Sequence, residues 1–119
     1  MAEWSRVSDI LDEIRAEDSV LDVSLISRGG MYVMGNAPQD VHEETYAAMS
    51  AIIMGAAETT SSELKENLTD VVLKLTEKRL VLTTVGPRYM MVIGLEPKVD
   101  LDELMGRVRG KVSEMEVTL

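Results

Sequence analysis

YMMVIGLE, Tyr89 to Glu96, is the stretch whose reading decides the fold of this chain. Its apolar residues run on without the polar alternation of a half-exposed strand, so a strand here has to be covered on both faces. Gly86, Pro87 and Arg88 make the turn that leads into it, and Pro97 stops it. Immediately upstream, Val71–Thr76 and Arg79–Val85 read as two strands joined through Glu77 and Lys78. A two-residue turn would set Leu75 opposite Leu80 and Leu73 opposite Leu82, with all four on one face.

Helices must supply the two covering layers. Downstream, Asp100 with Glu103 forms a capping-box start, and Leu101, Leu104, Met105, Val108 and Val112 make the apolar stripe of a last helix. Gly106 and Gly110 each weaken it by about 1 kcal/mol relative to Ala, so its end is expected to fray. Upstream of the strands, a long helix is expected from about Val41 to as far as Asn67, although Thr59–Ser62 could cap a fresh turn. Before it stand strands Val20–Ser27 and Met31–Met34 around a turn at Arg28-Gly29-Gly30, with Gly35, Asn36, Ala37 and Pro38 as breakers. Trp4, Val7, Ile10, Leu11 and Ile14 recur at helical steps on a first helix that ends near Glu17. The order α-β-β-α-β-β-β-α favours a three-layer α+β domain with one five-stranded antiparallel sheet. No repeat or linker divides the 119 residues, so a single domain over 1–119 is expected.

Composition narrows the partners. A formal charge of −9 and a pI near 4.5 repel phosphate backbones and anionic membrane surfaces, so neither is expected as a partner. Cysteine is absent and no export signal is visible, which fits a cytoplasmic protein without a disulfide framework. The greasiest stretch, YAAMSAIIMGAA from Tyr46 to Ala57, is about 18 Å long as a helix against a bilayer core of roughly 30 Å. It cannot span a membrane.

The search for chemistry returns negatives. His42-Glu43-Glu44 begins like a zinc-protease helix, but Tyr46 stands where the second histidine would have to be, so these read as solvated residues at a helix start. No Ser-His-acid set, cysteine nucleophile or phosphate-binding GxxxxGK[ST] loop is found. Asp9, Asp12, Glu13, Glu17 and Asp18 lie off the apolar stripe of the first helix and form a solvated face. Met49, Met90, Met91 and Met105 occupy patterned apolar positions and fill the core of a chain without Phe. Neither catalysis nor a metal or cofactor is expected.

The second helix is apolar on two sides. Tyr46, Met49, Ile52, Ile53 and Leu64 gather on a bulky side, whereas Ala47, Ala48, Ala51, Met54 and Gly55 form a small one. The bulky side is expected to face the sheet. The small side would let another backbone approach closely, and a second copy of the chain is the expected source.

The succession VSLISRGGMYVMGN at Val23–Asn36, the small-residue helix, and LVLTTVGPRYMMVIGLEPKVDLDELMGRVR at Leu80–Arg109 resembles the Roadblock family, of the dynein light-chain and GTPase-regulator type. The resemblance covers nearly the whole chain and rests on element order and apolar pattern; Gly29-Gly30 stands where relatives often carry Asp. It implies a homodimer in which second helices pack together and third strands pair, joining two sheets into one of ten strands. It also implies regulation or scaffolding of a small Ras-like GTPase or a larger complex without catalytic residues. The expected dimer interface is Ala47, Ala48, Ala51, Met54 and Gly55 with Val72 and Lys74, and with Glu58 at its polar rim. Arg28 and Arg88 are expected to be exposed turn residues and not arginine fingers. The rival expectation is a small-molecule sensor, which needs a pocket of convergent polar groups; no such cluster is visible among the apolar strand positions.

Overall fold

The computed structural model describes residues 3–119, so the first two positions of the expected 1–119 domain lie outside the described residues. Its elements are α1 (Trp4–Arg15), β1 (Val20–Ser27), β2 (Tyr32–Asn36), α2 (Glu43–Glu63), β3 (Asp70–Lys74), β4 (Arg79–Val85), β5 (Tyr89–Leu95) and α3 (Leu101–Thr118). The five strands form one antiparallel sheet in the order β2-β1-β5-β4-β3, which puts β5 in the middle. As its unbroken apolar run requires, β5 is covered on both sides. Met91, Ile93 and Leu95 join the core under α1 and α3, and Met90 and Val92 join the core under α2.

The layer of α1 and α3 is the better filled. Val7, Ile10, Leu11 and Ile14 from α1 meet Leu104, Met105, Val108, Val112 and Met115 from α3 over Val23, Leu25 and Val81. Each of these large side chains contributes about 1.5–3 kcal/mol by leaving water. That burial offsets the weak helix propensity of Gly106 and Gly110, so α3 continues unbroken to Thr118. Its start is the expected one: Asp100 Oδ1 accepts from the Glu103 backbone N–H at 3.2 Å.

Three boundaries differ from expectation for local reasons. β2 extends through the expected breakers to Asn36 because Gly35 adopts φ +114° and the Asn36 side chain accepts from the Val23 N–H at 3.1 Å. α2 runs through Thr59–Ser62 because the hydroxyls of Thr59, Thr60 and Ser61 donate back to the carbonyls of Gly55, Ala56 and Ala57; it ends at Glu63, ahead of Lys65 at φ 57°. β3 ends at Lys74, two residues early. The Leu75 N–H donates to the Lys78 carbonyl at 2.9 Å, so the two turn residues are Thr76 and Glu77, one position earlier than expected, and Leu73 pairs with Leu80 and Val71 with Leu82. Because the slip is by two residues, Leu73, Leu80 and Leu82 keep the face they were assigned.

Candidate functional site

The faces of α2 are divided differently from expectation: of the bulky set Tyr46 and Ile53 do pack against the core under the helix, but Met49, Ile52 and Leu64 are exposed, and most of the small set turns inward. Ala47, Ser50 and Met54 are buried against the sheet, with Ala51 half-buried beside them, while Met49 is 50 % exposed and Ile52 61 %. The sheet explains the division. Ile26, Leu82, Met90 and Val92 already fill the space beneath α2 with bulk, and they take Ala47 and Met54 between the flanking Tyr46 and Ile53 at native packing density. The expected close approach of a backbone does occur, but within the same chain. Gly30, at φ +95° in the β1–β2 turn, lies so near that a Cβ on it would stand 3.3 Å from the Ala48 Cα.

Ala47 and Met54 are therefore occupied inside the protomer and cannot form an interface; Ala48 and Ala51 face the turn and the core. Of the expected helix set, Gly55 alone is exposed. Glu58 is half-buried and pairs with Arg28, tying α2 to the β1–β2 turn. Arg28 is thus no free solvated residue, whereas Arg88 is exposed and its carbonyl accepts from the Arg28 N–H at 2.8 Å.

Along one face of α2, Thr45, Met49, Ile52, Ala56, Thr59 and Glu63 are all exposed. Their spacing alternates between four and three residues. That spacing sets them on one face of the helix, with bulk in the middle and polar ends. Sequence reading missed this exposed face because it ranked the faces by bulk and did not ask which one the sheet could accept. β3 is the edge strand beyond β4, and Val72 and Lys74 are exposed on it, as expected for residues at an open edge.

A polar set that sequence reading did not find lies beneath the first half of α2. Asp22, 5 % exposed, accepts from Lys78 Nζ at 3.3 Å, and the Ser24 hydroxyl lies 3.5 Å from the Tyr32 hydroxyl. The Tyr46 hydroxyl and Asp22 Oδ1 are buried with no hydrogen-bond partner among the described residues. Burial, and then the charge of Asp22, pushes the Tyr46 phenol above its ordinary range; burial does the same to Tyr32. The available signal was Asp22 and Ser24 at alternate positions within the apolar part of β1, ahead of Ser27 at its end. Among the described residues no group of three or more His, Cys, Asp or Glu could hold a metal ion, and no helix is long and apolar enough to cross a membrane.

Residues 6–94, from α1 to the end of β5, match the family model described as the Roadblock/LC7 domain. The chain belongs to the Roadblock/LC7 family. α3 lies beyond the matched span. No curated protein sequence matches this chain. Among solved structures, this Roadblock/LC7 chain is similar to the gliding protein MglB of Thermus thermophilus, with 18 % identity over 97 % of this chain and 89 % of that one, at a TM-score of 0.84. MglB of Myxococcus xanthus is likewise 18 % identical over 98 % and 94 % of the two chains, with a TM-score of 0.85. An MglB described as having a tetrameric arrangement is 18 % identical over 97 % and 88 %, also at 0.85. At such identities the likeness establishes the fold, and function has to be argued from the surface.

Proposed function

We propose that this chain is a non-enzymatic homodimeric regulator or scaffold in the cytoplasm, binding a small Ras-like GTPase or a larger complex, with residues 1–119 as one Roadblock-type domain. The observation that carries the proposal is the exposed face of α2, which places Met49 and Ile52 in water at its centre. A second copy across a two-fold axis would cover both. β3 supports the same symmetry. Paired antiparallel with its own copy about Val72, it would set Lys74 of one chain against the Asp70–Arg109 ion pair of the other, a register in which no like-charged residues of the strand face each other. Closing that edge also removes a template for uncontrolled strand addition. The family and the MglB-like fold support the GTPase-regulator reading.

Regulation without a catalytic residue agrees with the geometry of Arg28. An arginine supplied in trans raises hydrolysis by about 10³–10⁵, but it must be free to reach the phosphates, and Arg28 is held by Glu58. Arg88 is exposed and makes no ion pair among the described residues, so it is the second arginine to test; the mechanism proposed for this surface is stabilisation of the switch regions of the GTPase. The test has two stages. Light scattering at low micromolar concentration should give a dimer for the wild type and a monomer for Ile52→Arg; a monomeric wild type sinks the dimer. Affinity capture with the wild type, followed by nucleotide assays on any GTPase recovered, tests the partner. A hundredfold loss of stimulated hydrolysis in Arg28→Ala or in Arg88→Ala, with binding intact, would show the non-catalytic reading to be wrong.

A further inference from the structure

The end of the sheet opposite β3 is also open. β2 pairs with β1 alone, and its outer edge is unpaired among the described residues. A groove of about 740 Å³ runs along that edge, lined by Met31, Tyr32, Val33 and Gly35 on the strand side and by Glu43 and Glu44 from the first turn of α2. Exposed edges are normally blunted by charge, as β3 is by Lys74 and by the Asp70–Arg109 ion pair. β2 has no charge at all: its sequence is YVMGN. Its register with β1 shifts at Val33, so Val33 is the extra residue of a bulge, and Met31 just before the strand is 73 % exposed. The two acids above the edge are exposed and make no ion pair among the described residues. The dipole of α2 accounts for acids in its first turn. It does not account for an uncharged free strand beneath them.

We infer that this groove docks an extended segment of a partner protein, added to the sheet as a strand beside β2, with lysine or arginine at alternate positions facing Glu43 and Glu44. Main-chain hydrogen bonds to the free edge supply affinity, and the alternation of side chains along a strand supplies specificity: basic residues turn toward α2 and apolar ones toward the opposite side. A second copy of this chain is a poor occupant. Pairing β2 with β2 would bring two Glu43-Glu44 pairs together in molecules that each carry −9. Charge complementarity selects a basic segment; this chain's own alternating basic residues, Arg107, Arg109 and Lys111, are folded into α3 and paired with Glu17, Asp70 and Glu13. The inference does not depend on dimerisation, because every residue lining the groove belongs to one chain.

A fluorescent peptide of about eight residues alternating lysine and valine is a direct probe. Its anisotropy should rise on titration with the full chain, and amide NMR shifts should concentrate at positions 31–36 and 43–44. An alternating glutamate–valine peptide, and the lysine peptide N-methylated along the edge that would face β2, should each bind at least about tenfold more weakly. Glu43→Gln with Glu44→Gln, which keeps the surface polar and the helix intact, should weaken the lysine peptide by at least about fivefold at low salt. Equal binding by the methylated peptide overturns strand addition. Unchanged binding by the double variant, or shifts centred on Met49 and Ile52, overturns the site.

Discussion

At the scale of single residues, the positions that matter most are those where two elements nearly touch. Gly30 combines a positive φ with a backbone neighbour at van der Waals limit, so Gly30→Ala is penalised twice, by strain and by the Ala48 main chain. It should lose about 1–3 kcal/mol in urea unfolding; a stability equal to wild type would mean that the turn and α2 can separate freely. Tyr46 presents the opposite case, a buried hydroxyl with nothing to bond. Tyr46→Phe should leave stability unchanged or raise it by about 1 kcal/mol at neutral pH. The linkage has a definite sign. The folded phenol keeps its proton to higher pH than the unfolded one, whose pKa is 10.0, so the unfolded chain binds fewer protons and wild-type stability falls as pH rises above that value. The difference between wild type and Tyr46→Phe, followed by denaturation from pH 8 to 11, should widen in favour of the variant on the alkaline side.

At the scale of elements, α2 is a helix with two different tasks on adjacent residues. Ala51 turns to the core under the helix and Ile52 to solvent. An arginine at Ala51 would force charge into the protomer, at a cost of several kcal/mol, and should unfold or aggregate the chain. The same residue at Ile52 is solvated in the monomer. Ile52→Arg should therefore keep a native circular dichroism spectrum while losing self-association. If both variants lose the fold, α2 does not present the exposed face described above; if Ala51→Arg stays folded and becomes monomeric, the orientation of the helix is wrong by about one residue's rotation.

At the scale of the whole molecule, the layer under α1 and α3 is closed while α2 keeps apolar bulk in water, an imbalance that association would correct. A dimer that dissociates on unfolding gains about 1.4 kcal/mol for each tenfold rise in concentration. The wild-type Tm should then climb by roughly 2–5 °C per decade of concentration, and that of Ile52→Arg should stay level. A wild-type Tm independent of concentration would count against the dimer. It would leave the β2 groove untouched.

The sequence by itself determined the order of the eight elements, the five-stranded sheet, the double cover of β5 and the cap of α3, because each rests on local period, turn chemistry or an unbroken apolar run. It also carried enough pattern to place the chain in its family. Only the tertiary structure decided which side of α2 meets the sheet, because YAAMSAIIMGAA is apolar all round and periodicity cannot rank two apolar faces. The choice belongs to Ile26, Leu82, Met90 and Val92, which are distant in sequence and take Ala47 and Met54 between the flanking Tyr46 and Ile53. The same applies to the β3–β4 register, set by the turn at Leu75 and Lys78, and to Asp22, whose neighbour Lys78 arrives from the far side of the sheet. Local order was legible because its causes are local; the surface left for partners was not, because it is whatever remains after distant residues have packed.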